Sequence, residues 1–207
     1  MKQTGQTQPT AKSSKGDATK ARLVASALGT FHTQGYRGTG VAQLLAESGF
    51  PRGSLYFHFP GGKEEIAVAA IDQARDEIGS GIDLAFAAAA DPLAALRLVV
   101  DGFAAELESS GFARGCPVTT VALETDSDTP RLGASCAKAY ADWQSRICKH
   151  LLAAGISCER APRLATFALS AIEGALILAR AQRSRAPLDD AIAELAFLFE
   201  RPVANAR

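Results

Sequence analysis

Between positions 52 and 58 the chain places Arg52, Gly53, Ser54, Tyr56, Phe57 and His58, which together offer a guanidinium, an open backbone, two hydroxyls, an aromatic ring and an imidazole. No side chain in this run pairs a nucleophile with an orienting base, so the chemistry it suits is recognition. Hydrogen bonds and charge would be directed at the edges and backbone of a polyanion. Gly53 allows close backbone approach, Ser54 supplies a hydroxyl, and Arg52 can fork onto a guanine edge or hold a phosphate alone. His58 fits such a contact as well as it fits an ordinary surface position.

Elsewhere the reactive residue types are scattered. Cys116, Cys136, Cys148 and Cys158 lie far apart with no CxxC, and no histidine stands at metal-ligand spacing. That pattern argues against zinc and against a disulfide framework, and it leaves buried thiols as the simple reading. One competing reading treats Cys116 as a redox-sensing thiol, because Arg114 beside it would lower its pKa. An enzymatic reading would use Glu124, Cys148 or His150, yet no nucleophile-base pair or phosphate loop surrounds them. No cofactor is expected.

The elements that must position the recognition run are helical. Alternation of β-branched residues is nearly absent, and alanine-rich spacing at three and four dominates after Asp17, so an all-α fold is predicted. Asp17 can cap a first helix that buries Val24, Ala27, Leu28 and Phe31 and stops at Gly35. A short helix from about Gly40, with Thr39 as its cap, ends at Gly49. A second short helix opens at Pro51 and turns Leu55 and Phe59 inward until Pro60-Gly61-Gly62. From Lys63 a longer helix should run towards Ile78 and weaken at Gly79 to Gly81. Further helices are expected near 91 to 110, 114 to 125, 129 to 154, 159 to 185 and 187 to 200. The apolar stretch from Ser170 to Ala179 is interrupted by Glu173 and Gly174, so no membrane-spanning helix is expected, and the polar N-terminus has no signal-peptide core. A cytoplasmic protein is the expectation.

The 207 residues carry 22 basic and 22 acidic side chains, but not evenly. Residues 1 to 63 hold eight basic against two acidic groups, a balance of +6, which leaves −6 for the remainder. A basic end on an acidic body suits a protein that presents one end to nucleic acid.

Two short helices about a tight Gly49 turn, behind a longer helix and among basic residues, are the parts of a helix-turn-helix. The run from Thr39 to Phe59 contains Gly49, Arg52-Gly53-Ser54, Leu55-Tyr56 and His58-Phe59 in order, then Lys63-Glu64-Glu65. It resembles the TetR/AcrR family of repressors over about residues 17 to 70. The resemblance implies a fold of about nine helices, acting as a homodimer on a palindromic operator in double-stranded DNA. It further implies phosphate contacts from Thr39, Tyr56, His58 and Lys63. Pro51 departs from the family pattern, where serine or threonine often caps the reading helix. Gly61-Gly62 and the run Phe112-Ala113-Arg114-Gly115-Cys116-Pro117-Val118 through Glu124 look like the branch that contains lincomycin-resistance and flavonoid-responsive repressors.

These readings divide the chain into a disordered basic arm (1 to 16), a helix-turn-helix unit (17 to 62), a connecting helix (63 to 80) and a ligand-binding and dimerisation unit (81 to 202). For a small, largely apolar effector, the candidate lining is Phe103, Val118, Val121, Tyr140, Trp143 and Phe167, with Glu124 and Glu173 as polar groups. Glu173 is the most unusual, because a carboxylate inside the Phe167 to Ala179 stripe is costly unless it is paired or binds something. The last two helices, rich in alanine, are the expected dimer interface. An effector that favours splayed reading heads must weaken DNA binding by the same free energy, typically ~1 to 3 kcal/mol.

Overall fold

The computed structural model describes residues 15–200, and among these it contains nine α-helices and no strand. Three helices come first: α1 (Lys15–Gln34), α2 (Val41–Ser48) and α3 (Leu55–His58), with a single 3-10 turn (Arg52–Ser54) leading into α3. Then follow α4 (Gly62–Ala88), α5 (Pro92–Ser109), α6 (Pro117–Ala122), α7 (Pro130–Ala153), α8 (Arg160–Gln182) and α9 (Ala186–Glu200). The expected basic arm lies outside the described residues, except that Lys15 and Gly16 already belong to α1.

The first three helices enclose Leu23, Ala27, Phe31, Leu44, Leu55 and Phe59, each at most 1% exposed. They rest on Ile66, Ala67 and Ala70 at the start of α4. The spacing of those residues in α1 and α3 is that of one buried helix face, which is why a short α3 is held at all. Pro and Asp punctuate the rest as expected. Asp91 accepts from the Ala94 amide at 2.8 Å ahead of Pro92, and Pro117 and Pro130 open α6 and α7.

α4 does not break at Gly79 to Gly81 but runs on to Ala88. The reason is a close approach: a Cβ on Gly79 would lie 2.8 Å from Arg146 Nε, so the glycine leaves room for α7 to lie against α4. Arg146 there bridges Asp142 and Asp83. Further along the same seam Trp143 is fully buried and its Nε1–H donates to the Arg75 carbonyl at 3.0 Å. The long α4 therefore packs against both the first three helices and α7.

α8 is apolar enough, over enough residues, to cross a membrane by composition, with a mean hydropathy of 1.5 in its best window. The Ser170 to Ala179 stretch lies inside this helix, and 44% of that window is buried within the protein, as in a core helix, so the expectation that it does not span a membrane is not overturned. Its Leu164, Ala168, Ile172, Leu176 and Ala179 face is buried against neighbouring helices, whereas Phe167, Ile177 and Leu178 stay about half exposed.

Candidate nucleic-acid interface and sensing cavities

The reading turn is built by α2, Gly49 in the left-handed region at φ 66°, and the 3-10 turn that enters α3. Pro51 stands just ahead of that turn, and no side chain caps it or α3. Leu55 and Phe59 point inward at 1% exposure, as the sequence predicts. What remains outside is Arg52, Gly53, half-buried Ser54 and His58, Tyr56 at 69% and Phe57 at 83% exposure. His58 stands edge-on to Phe50 and Phe57, which fixes its ring on the flank of α3. An outer face carrying a guanidinium, a hydroxyl, a phenol and a bare glycine is slim and polar enough for a major groove.

Two residues of the expected contact set are engaged differently. Thr39 is 1% exposed and its hydroxyl donates to the Gly35 carbonyl at 2.7 Å, so this side chain secures the α1–α2 turn, and Gly40 occupies the cap position. Lys63 lies with Nζ 4.3 Å from the centre of the Tyr36 ring, half-buried, and its burial lowers its pKa.

Behind this head, the turn after α1 is fastened to the turn after α6 by contacts that no local pattern foretells. The Arg37 amide donates to Glu124 Oε2 at 2.7 Å, its Nε donates to the Glu124 carbonyl at 3.2 Å, and its guanidinium pairs with Asp126. Those partners lie 87 and 89 residues away, beyond the reach of any local spacing rule. His32 Nε2–H donates to the Gly115 carbonyl, and desolvation lowers this imidazole's pKa. Arg180 of α8 donates to the Thr33 carbonyl at 3.3 Å. A carboxylate on α4 also reaches α7: Glu64 accepts from the Arg131 and Leu132 amides at 3.0 and 3.2 Å.

Two cavities flank α6. One, of about 420 Å3, lies among α1, α4 and α5 and is lined chiefly by Leu28, Ile78, Ile82, Val99 and Phe103. The other, of about 620 Å3, lies between the end of α1, α6 and α8 and contains Glu124, Glu173 and Arg180. Of the expected lining residues, Phe103 borders the first, and Glu124 and Glu173 border the second. Val118 and Val121 are fully buried between them, and Tyr140 is half-buried with its hydroxyl 2.7 Å from Thr119. Trp143 belongs to the α4–α7 seam. Phe167 is 53% exposed on the outer side of α8, away from both cavities. Sequence reasoning missed Thr119, Arg37 and His32 as polar links.

The Cys116 thiol is 3% exposed, and burial pushes its pKa well up, reinforced by the Glu173 carboxylate. A redox sensor needs the opposite, an accessible thiolate. Arg114, expected to activate it, pairs instead with Glu106 at 3.0 Å. Among the described residues no cluster of His, Cys, Asp and Glu could hold a metal.

Residues 23–70 match the family model for bacterial regulatory proteins of the tetR family, and residues 92–194 match the C-terminal domain of LmrA/YxaF-like transcriptional regulators. The HTH-type transcriptional regulator LmrA of Bacillus subtilis is 33% identical over 175 residues, covering 84% of this chain and 93% of that protein. An uncharacterized HTH-type transcriptional regulator of Mycobacterium tuberculosis is 34% identical over 175 residues, covering 82% and 88%. The crystal structure of a TetR transcriptional regulator from Chloroflexus aurantiacus superposes with a TM-score of 0.73 at 28% identity, over 90% of this chain and 96% of that one.

Proposed function

Because this chain belongs to the TetR family of transcriptional regulators, we propose that it is a ligand-responsive repressor which releases its operator when a small, largely apolar molecule enters a cavity beside α6. The observation that carries this reading is the fastening of the reading head to α6 by Arg37, Glu124 and Asp126, with a cavity on either side of that short helix. A ligand that shifts α6 cannot leave those contacts in place, so it must bias how the head is held. By linkage it then weakens DNA binding by the same free energy.

In this account α2 and α3 enter the major groove. Arg52, Gly53 and Ser54 face base edges, and Tyr56, His58 and the first amides of α2 face phosphates. Two copies assemble through α8 and α9, whose Phe167, Leu178 and Phe197 are each more than half exposed. Burying that face against its own symmetry mate would align two reading heads on a palindrome. Acting on operator DNA, the protein works in the cytoplasm.

A gel-shift titration against DNA from upstream of its own gene, with random DNA and an Arg52→Ala/Tyr56→Ala variant as controls, tests the reading. Selective binding by the wild type alone supports it. Equal binding to all DNA by both proteins, together with failure to enrich any site from a random pool, refutes it.

A further inference from the structure

The larger cavity has an unusual placement of charge. Glu173 accepts hydrogen bonds there from the Thr119 hydroxyl, at 2.6 Å, and from the Cys116 thiol. Both donors are neutral. Arg180 lines the same cavity seven positions along α8, about 10 Å away at ~1.5 Å of rise per residue, and donates to the Thr33 carbonyl and the Thr120 hydroxyl instead. Burial raises the Glu173 carboxyl above its ordinary range. A carboxylate withdrawn from water without a cation is costly, so the cavity favours a guest that supplies the missing charge. Phe112, Leu123, Leu176 and Ile177 give the same cavity an apolar wall. Across from them lie Thr33 and Gln34, at the end of α1 where helix carbonyls concentrate negative charge.

We propose that this cavity is the effector site and that it takes a small apolar amine, its ammonium on Glu173 and its hydrophobic body along Leu176 and Ile177 against the end of α1. The proposal rests on the ligand-responsive reading above and specifies the location and charge of the ligand. A guest in this position touches the reading head directly through Thr33, Gln34 and Gly35, beside the Glu124 carboxylate that holds Arg37.

The chain carries its own reporter. Thr119 meets the Tyr140 hydroxyl at 2.7 Å, the Tyr140 ring lies edge-on to Trp143 at 5.7 Å, and Trp143 is the only tryptophan. The full-length protein is titrated with phenylbutylamine, phenylbutanol and phenylbutyrate, read by tryptophan fluorescence and by release of an operator fragment. The amine is expected to bind about ten-fold more tightly than the alcohol, the value of one buried charge-assisted contact, and the acid most weakly. Glu173→Gln, which keeps the shape and the Thr119 bond, should make amine and alcohol equal. Ile177→Phe, which crowds the cavity from a half-exposed position and leaves Trp143 the sole tryptophan, should weaken amine binding at least ten-fold and so provides a second test if Glu173→Gln does not fold; unchanged amine binding there also overturns the site. Gly102→Leu, which fills the other cavity where no atom lies within 4 Å of an added Cβ, should leave the preference intact. Equal binding of amine and alcohol to the wild type, a preference that survives Glu173→Gln, or one lost in Gly102→Leu overturns the site while leaving ligand responsiveness standing. If a broad compound library also fails to release a selective operator complex, the ligand-responsive reading fails with it.

Discussion

Gly35 is where the head-to-α6 link can be measured as an energy. Its φ of 74° lies in the left-handed region, and an alanine Cβ there would sit 2.1 Å from Glu124 Oε1 and 2.8 Å from its Cδ. Gly35→Ala therefore costs about 1 kcal/mol in backbone conformation. It also drives the carboxylate off the Arg37 amide, a partly exposed charge-assisted bond contributing about 1 kcal/mol, for about 2 kcal/mol in all. Glu124→Ala alone loses only that bond, about 1 kcal/mol. In the double variant the alanine no longer meets a carboxylate and the bond is already gone, so it should be no less stable than Gly35→Ala alone. Urea unfolding of the four proteins gives the comparison from their midpoints. A double variant destabilised by the sum of the two single effects, about 3 kcal/mol, would refute the contact between Gly35 and Glu124 as the source of the coupling.

Three further outcomes follow from the same geometry. Trp143→Phe should cost about 2 to 3 kcal/mol in a urea melt, because it removes the indole N–H that donates to the Arg75 carbonyl in addition to the helix's own bond, and leaves a void in the α4–α7 seam; a loss below ~0.5 kcal/mol would contradict that role. Burial holds His32 below its ordinary pKa, so the unfolded chain takes up a proton at a pH where the folded chain does not. The stability from neutral His32 is complete above about pH 6.5 and falls as pH drops from there towards the lowered folded value. His32→Gln should lack that slope, and parallel pH profiles for the two proteins would count against it. Glu64→Ala removes the acceptor for the Arg131 and Leu132 amides and should lower stability by about 1 kcal/mol, seen as a lower thermal midpoint than the wild type gives.

The reading turn was legible in the sequence because its determinants are local. Gly49 marks the bend, Leu55 and Phe59 are one helical turn apart, and a basic, hydroxyl-bearing outer face lies between them. The helix order was legible for the same reason, since Pro92, Pro117 and Pro130 announce helix starts. The length of α4 was not, because the tolerance of Gly79 depends on Arg146, which no spacing rule connects to it. Thr39 looked like an outward hydroxyl, but the Gly35 carbonyl lies within its reach. Glu124 is the sharpest case. As a residue type it suited a ligand cavity, which it does border, yet its bonds hold Arg37 from a position 87 residues distant. Cys116 misled in a similar way, since Arg114 is adjacent in sequence but turned to Glu106.

Operator recognition can be put to the test by selection from a random DNA pool with the purified full-length protein, followed by fluorescence anisotropy on the enriched fragment. A palindrome whose half-sites lie about one helical turn apart or a multiple of it should be enriched, bound selectively by the wild type and no better than random DNA by Arg52→Ala/Tyr56→Ala. Enrichment of no sequence, or equal binding of the selected fragment by that variant with its fold intact, would contradict it.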